Sequence, residues 1–124
     1  MTTDIIIFLF LLQIKHWFVD FVIQTDTEVK SKGIYGDFHG IMHSAKHGLG
    51  TLICALLVTG YPYFAFAVVL AVLDFVTHYH IDWAKMNINR SRNLTPQDEA
   101  FWFWLGLDQL MHYLTYIGLI ALVV

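Results

Sequence analysis

Charge is scarce in this chain: Asp, Glu, Lys and Arg make up 14% of its 124 residues, where an ordinary soluble domain carries roughly a quarter. That deficit argues against a water-soluble protein. Cysteine is nearly absent too, and the single Cys54 excludes an internal disulfide and a zinc finger built on thiolates. Basic residues number seven, the formal net charge is −3, and no basic stripe with interleaved aromatics exists, so nucleic-acid binding has no support. The chain lacks a phosphate-binding loop, a dinucleotide fingerprint, a haem-attachment motif and a Ser or Cys nucleophile motif. No low-complexity segment is present, and the length suits one domain over residues 1–124.

Hydrophobic residues dominate instead, at 57%, with 16% aromatic. Four runs, at about 5–24, 40–60, 62–82 and 101–124, approach the roughly 20 residues that cross a bilayer. The first begins Met1-Thr2-Thr3-Asp4 without a positive segment or a small-residue cleavage site, so it is expected to be a retained helix and not a signal peptide. Gly60-Tyr61-Pro62 breaks the second run from the third. Thr95-Pro96-Gln97-Asp98 predicts the start of the fourth helix, with a capping hydroxyl, Pro at the first turn and an acid three residues on. The polar stretches 25–39 and 83–100 have room for a short amphipathic surface helix. They also hold Lys30, Lys32, Lys85, Arg90 and Arg92, whereas the termini and the Gly60 turn hold no Lys or Arg. The positive-inside rule then puts both loops in the cytoplasm and both termini on the other side. The expected fold is an all-α, multi-pass four-helix bundle of two tandem helical hairpins in the inner (cytoplasmic) membrane.

The hairpins read as copies. His16-Trp17-Phe18-Val19-Asp20-Phe21 matches His78-Tyr79-His80-Ile81-Asp82-Trp83 in pattern, and Ile41-Met42-His43 echoes Leu110-Met111-His112. Polar residues recur at intervals of four: His16, Asp20 and Gln24 on the first helix; His39, His43 and His47 on the second; Asp74, His78 and Asp82 on the third; Asp108 and His112 on the fourth. Residues four apart share one helix face. Counted at about 1.5 Å per residue, His16, His47, Asp74 and Asp108 fall at one depth, roughly 10 to 12 Å inside the cytoplasmic ends.

Each such group costs on the order of 2.5 to 3.5 kcal/mol inside a membrane. For any single His–Asp pair, hydrogen-bonded glue between helices is explanation enough. The whole set has the composition of a metal site, because imidazole nitrogens and carboxylate oxygens are the ligand set of zinc, manganese and iron. The expected ligands are His16, His43, His47, Asp74, His78, Asp108 and His112, around one or two divalent ions, with zinc the first choice. Asp20 and Asp82, nearest the cytoplasmic mouth, are candidate general bases, and Lys85 is placed to neutralise a phosphate. Gln24, His39 and His80 are assigned to the membrane interface. Lys15 and Lys46 are expected to snorkel to headgroups, with phosphate binding as the alternative, and Cys54 to fill apolar space.

The His16-x3-Asp20-x3-Gln24 opening, the Asp74-x3-His78-x3-Asp82-x2-Lys85 segment and Asp108-Gln109-x2-His112 resemble an uncharacterised family of small phage and bacterial membrane proteins, known only as a domain of unknown function. The likeness runs over nearly the whole chain and implies no activity. More distantly, His39-Gly40-Ile41-Met42-His43-Ser44 is similar to a His-x3-His-Ser segment of bacterial inner-membrane metal-dependent hydrolases, which implies metal-holding histidines. This chain is smaller than those proteins and lacks their Asp-rich loop.

Three functions compete at this level. The first is a membrane-embedded metal-dependent hydrolase for a lipid-like or small phosphorylated substrate drawn from the cytoplasmic leaflet. The second is a homo-oligomeric channel or carrier for divalent cations or protons. The third is a phage-type membrane effector stabilised by a structural metal.

Overall fold

The computed structural model describes residues 2–123, and every regular element among them is helical. Helix α1 spans Thr2–Trp17 and runs into a π-helical turn, Phe18–Val22; α2 spans Asp26–Ser31, α3 Phe38–Thr59, α4 Phe64–Ser91 and α5 Glu99–Ala121. A 3₁₀ turn, Tyr61–Tyr63, joins α3 to α4. Gly60 there takes φ +81°, a conformation that a side chain opposes. Each long helix packs on two others: α1 on α3 and α5, and α4 on α3 and α5.

Three helical segments among the described residues are long and apolar enough to cross a membrane: Thr3–Val22, Phe38–Thr59 and Tyr61–Ser91. They correspond to the first three expected spans. The fourth expected span is α5, whose 23 residues suffice in length, but Asp108, Gln109 and His112 lower its mean hydropathy and it is not among the three. The stretch 83–100 is shorter as a loop than expected, because α4 continues for 28 residues, about 42 Å at 1.5 Å per residue. Lys85 and Arg90 are therefore helical. Only the acid's part of the Thr95 pattern forms: Asp98 Oδ2 accepts from Thr95 N at 2.7 Å and from its hydroxyl at 2.9 Å, while Asp98 N bonds the Thr95 carbonyl at 2.9 Å and the hydroxyl caps no backbone N–H among the described residues. The pattern makes a turn ahead of α5, and the helix starts only at Glu99.

The short helix expected between the first two spans is α2. Thr25 and Glu28 cap it reciprocally, and Lys46 of α3 reaches Glu28 at 2.5 Å. Burial pushes the Glu28 carboxyl up, but Lys46 and Thr25 outweigh it and hold the group below the usual carboxylate range. Lys46 thus pins α2 to α3 instead of snorkelling.

Burial is inverted relative to a soluble domain. Ile6, Phe10, Ile53, Leu57, Val72 and Phe103 lie exposed, while every Asp and His of the four stripes except His39 is nearly inaccessible. The buried apolar cluster, including Phe8, Leu12, Cys54, Leu70, Tyr116 and Leu119, fills the end nearer the chain termini. Cys54 is the apolar filler expected.

Close approach of α3 to α4 depends on Gly48, where a Cβ would meet the Ala71 carbonyl oxygen at 2.9 Å and Phe75 Cβ at 3.1 Å. Backbone cannot step aside as a flexible side chain can. Gly48→Ala is expected to destabilise the protein by about 1–3 kcal/mol, read as a lower thermal midpoint in detergent. Gly106→Ala, with open space around its Cβ, should leave the midpoint unchanged or raise it.

Candidate metal centre

The C-terminal halves of α1 and α4 meet the N-terminal halves of α3 and α5, and the four polar stripes converge where they do. Eight side chains form three overlapping groups of metal-ligand type: Asp20, His43, His47 and His78; His16, His78 and His112; Asp82, Asp108 and His112. All eight are at most 5% exposed.

Asp20 organises the first group. It sits in the π-helical turn, where Ile23 N bonds the Phe18 carbonyl at 3.1 Å; such widened turns recur at functional sites. Gln24 Nε2 donates to the Asp20 carbonyl at 2.9 Å. Asp20 Oδ1 lies 3.0 Å from His43 Nε2, 3.1 Å from His47 Nε2 and 3.8 Å from His78 Nε2, and the His43 and His78 nitrogens are 3.2 Å apart. A tetrahedral site with bonds of about 2.0 to 2.1 Å has ligand–ligand edges near 3.3 Å. The observed separations bracket that value.

His16 supports this group from outside. Its Nε2 faces two acceptors, Asp20 Oδ2 and Gln109 Oε1, each at 3.2 Å. Its Nδ1 is 2.8 Å from Tyr116 Oη. With its proton on Nε2, His16 donates to Gln109 Oε1 and sets the same edge of the ring against Asp20 Oδ2, the place of an outer partner beside a metal ligand.

The remaining predicted residues separate clearly. Asp82 Oδ2 is 3.4 Å from His43 Nε2 and 3.2 Å from His78 Nε2, and its Oδ1 is 3.5 Å from His112 Nε2. Asp108 Oδ2 accepts from Lys85 at 3.1 Å and from Gln109 at 3.0 Å, leaving Oδ1 turned toward His112 Nε2 at 3.6 Å. Asp74 lies outside all three groups: its Oδ2 accepts from Lys15 Nζ at 2.6 Å and from the Thr51 hydroxyl at 2.5 Å. Lys15 is accordingly buried and not snorkelling, with Tyr116 Oη at 3.1 Å and His47 Nδ1 at a long 3.4 Å. His39 and His80 are exposed, and His80 contacts Tyr35 at 3.2 Å.

The residue pattern that marked the hairpins as copies corresponds to matched geometry. The His16–Asp20 and His78–Asp82 contacts are both 3.2 Å. The ring pairs His16–His112 and His78–His43 have centroids 4.9 and 5.2 Å apart and tilts of 47° and 49°.

Lys32 was not among the expected site residues. Buried to 6% exposure, its ammonium lies 2.8 Å from Asp82 Oδ2 and 3.5 Å from Asp20 Oδ1. The segment after α2 carries it inward and is held to α4 by Asn87 on the Gly33 carbonyl at 3.0 Å and by Gly36 N on Tyr79 Oη at 2.6 Å. The interior therefore holds four carboxylates, Asp20, Asp74, Asp82 and Asp108, against three ammoniums, Lys15, Lys32 and Lys85. With the histidines neutral it is one positive charge short of balance.

Two openings reach Lys85. A groove of about 280 Å³ between α4 and α5 is lined by Ile81, Lys85, Ile88, Trp104, Asp108 and Met111, among others. A crater of about 610 Å³ near the ends of these helices adds Asn89, Arg90 and Thr95.

These features define an all-helical chain, apolar outside, with an inward-facing cluster of histidine and aspartate. Residues 7–124 match the family described as protein of unknown function DUF3307, and the chain belongs to that family. No curated protein and no solved structure matches it.

Proposed function

We propose that this chain is an integral-membrane, metal-dependent hydrolase acting on a phosphate-bearing amphiphile. In this reading α5 joins the three apolar helices to make a four-helix bundle in the inner membrane. Both termini lie outside the cytoplasm, and the centre lies in the cytoplasmic leaflet. The observation that carries the proposal is the four-atom cradle of Asp20 Oδ1 and the Nε2 atoms of His43, His47 and His78, whose donor set suits zinc. A bound divalent ion supplies a Lewis acid and a water acidified toward neutrality.

The chain's own residues do the rest. Asp20 belongs with the ligands in this arrangement, and Asp82, facing two of the ligand histidines, orients the attacking water. Lys85 stands between the groove and the centre, where its ammonium can meet a phosphate oxygen. The groove's apolar walls suit an acyl chain, and Arg90 at the crater suits the anionic head. Transport draws less support, because the packed layer of Phe8, Leu12, Leu70 and Leu119 interrupts any polar path toward the chain-terminal end.

The test is phosphate release from mixed vesicles containing a long-chain alkyl phosphate, using zinc-loaded protein. Release should stop with chelator, return with zinc and fall at least tenfold in Lys85→Ala. Chelator-sensitive cation flux into liposomes, with no product from long-chain phosphates, would overturn the hydrolase in favour of transport.

A further inference from the structure

We infer that the centre holds a second divalent ion, bound by Asp82, Asp108 and His112, and that Asp82 bridges it to the first. The inference rests on the metal-centre reading above, adds a site with a different ligand set, and replaces the water-orienting role of Asp82 with that of a bridging ligand.

Its first support is convergence. Asp82 Oδ1, Asp108 Oδ1 and His112 Nε2 are all buried and lack a hydrogen-bond partner. They face one another: His112 Nε2 lies 3.5 Å from Asp82 Oδ1 and 3.6 Å from Asp108 Oδ1. An unpaired buried polar atom costs about 1–3 kcal/mol, so three aimed at one point need a common partner. A cation serves two carboxylate oxygens and an imidazole nitrogen together, and unlike a bridging water it also brings positive charge to an interior with four carboxylates against three ammoniums.

The second support is how the opposite edges are used. Asp108 Oδ2 is taken by Lys85 and Gln109, which fixes the carboxylate and leaves Oδ1 free. Asp20 is placed in a similar way, with Oδ2 beside His16 Nε2 at 3.2 Å and Oδ1 among the ligand histidines. Two carboxylates held by one oxygen and presenting the other is the arrangement expected of metal ligands with outer partners.

Asp82 differs, because each of its oxygens faces a different group: Oδ2 faces His43 and His78, with the Lys32 ammonium at 2.8 Å, and Oδ1 faces His112, with the Lys85 ammonium at 3.6 Å. It is shaped to join two ions. Paired ions in hydrolytic sites sit about 3.5 to 4 Å apart and clamp the attacking and leaving oxygens. The two sites differ in character. Three nitrogens and one oxygen favour zinc at the first, whereas two carboxylates and one imidazole favour a harder ion such as manganese at the second. The second site is also the one that Lys85 and Asp108 connect to the α4–α5 groove, so its ion is the one a phosphate meets first.

The experiment uses the full chain in detergent, loaded with Mn²⁺ and cleared of free metal, with manganese counted per chain and its electron paramagnetic resonance recorded. Wild type should hold two ions and give an exchange-coupled multiline spectrum. Asp108→Asn should hold one and give an uncoupled six-line signal. One uncoupled ion in folded wild type, or none, would overturn the second site, while the first stands or falls on zinc binding. Because the wild-type spectrum decides the matter alone, a poorly folding variant does not blunt the test. A folded Asp108→Asn protein that keeps two coupled ions would also contradict the assignment.

Discussion

Asp20→Ala is expected to empty the first metal position and abolish chelator-sensitive turnover. Asp20 supplies the one carboxylate of the four-atom cradle, with Oδ1 within 3.8 Å of all three ligand nitrogens. Its removal should weaken metal binding by more than the roughly 10- to 100-fold lost when an outer partner is deleted. It also leaves the Lys32 ammonium with Asp82 as its remaining carboxylate. Asp20→Asn keeps shape and an acceptor oxygen but not the charge, and should fall between wild type and Ala in affinity. If the cluster were only hydrogen-bonded glue between helices, the same substitutions would cut folded yield with no metal to lose. Metal per folded chain separates these cases, and Asp20→Ala retaining a full complement would contradict the ligand assignment.

Lys15→Met is expected to cost about 3–5 kcal/mol of stability, because it strands the buried Asp74 carboxylate without its ion partner. The pair is tight, at 2.6 Å, with both side chains under a tenth exposed. It also ties α1 to α4, while Thr51 and Tyr116 bring in α3 and α5. Combining Lys15→Met with Asp74→Leu removes both charges and should recover most of the loss, as apolar replacement of buried pairs often does. Thermal unfolding in detergent reads the effect. Metal content in the double variant should equal wild type; loss of an ion there would restore Asp74 as a ligand, the role its place on the stripe suggested.

Much of this architecture can be read from spacing. Intervals of four place His16, His43, His47, His78, Asp108 and His112 on inward faces, and depth counting puts His16, His47, Asp74 and Asp108 at a common level. Extending the same interval to hydroxyls would have found two more members: Thr51 lies four residues after His47, and Tyr116 four after His112. Asp74 was legible as inward-facing, but nothing local reveals that Lys15 turns inward with it. A lysine beside a bilayer is read as snorkelling until a buried carboxylate at its own depth is known. Lys32 is hidden for a related reason. It lies just past a six-residue helix, where no periodicity assigns a face, and its inward path depends on long-range contacts from Asn87 and Tyr79. The continuation of α4 through Ser91 was missed because the run of Lys, Asn and Arg from Lys85 reads as loop by composition, while helix needs only propensity and packing to persist.

The claim that a nitrogen-rich His/Asp cradle binds metal is tested most directly by X-ray absorption at the zinc edge on tag-free protein carrying one zinc per chain. Light ligands at about 2.0 to 2.1 Å, with the outer-shell scattering of several imidazoles, are the expected result. A sulfur at about 2.3 Å would move the ion to Cys54, and zinc that washes away from folded protein would contradict the metal centre itself.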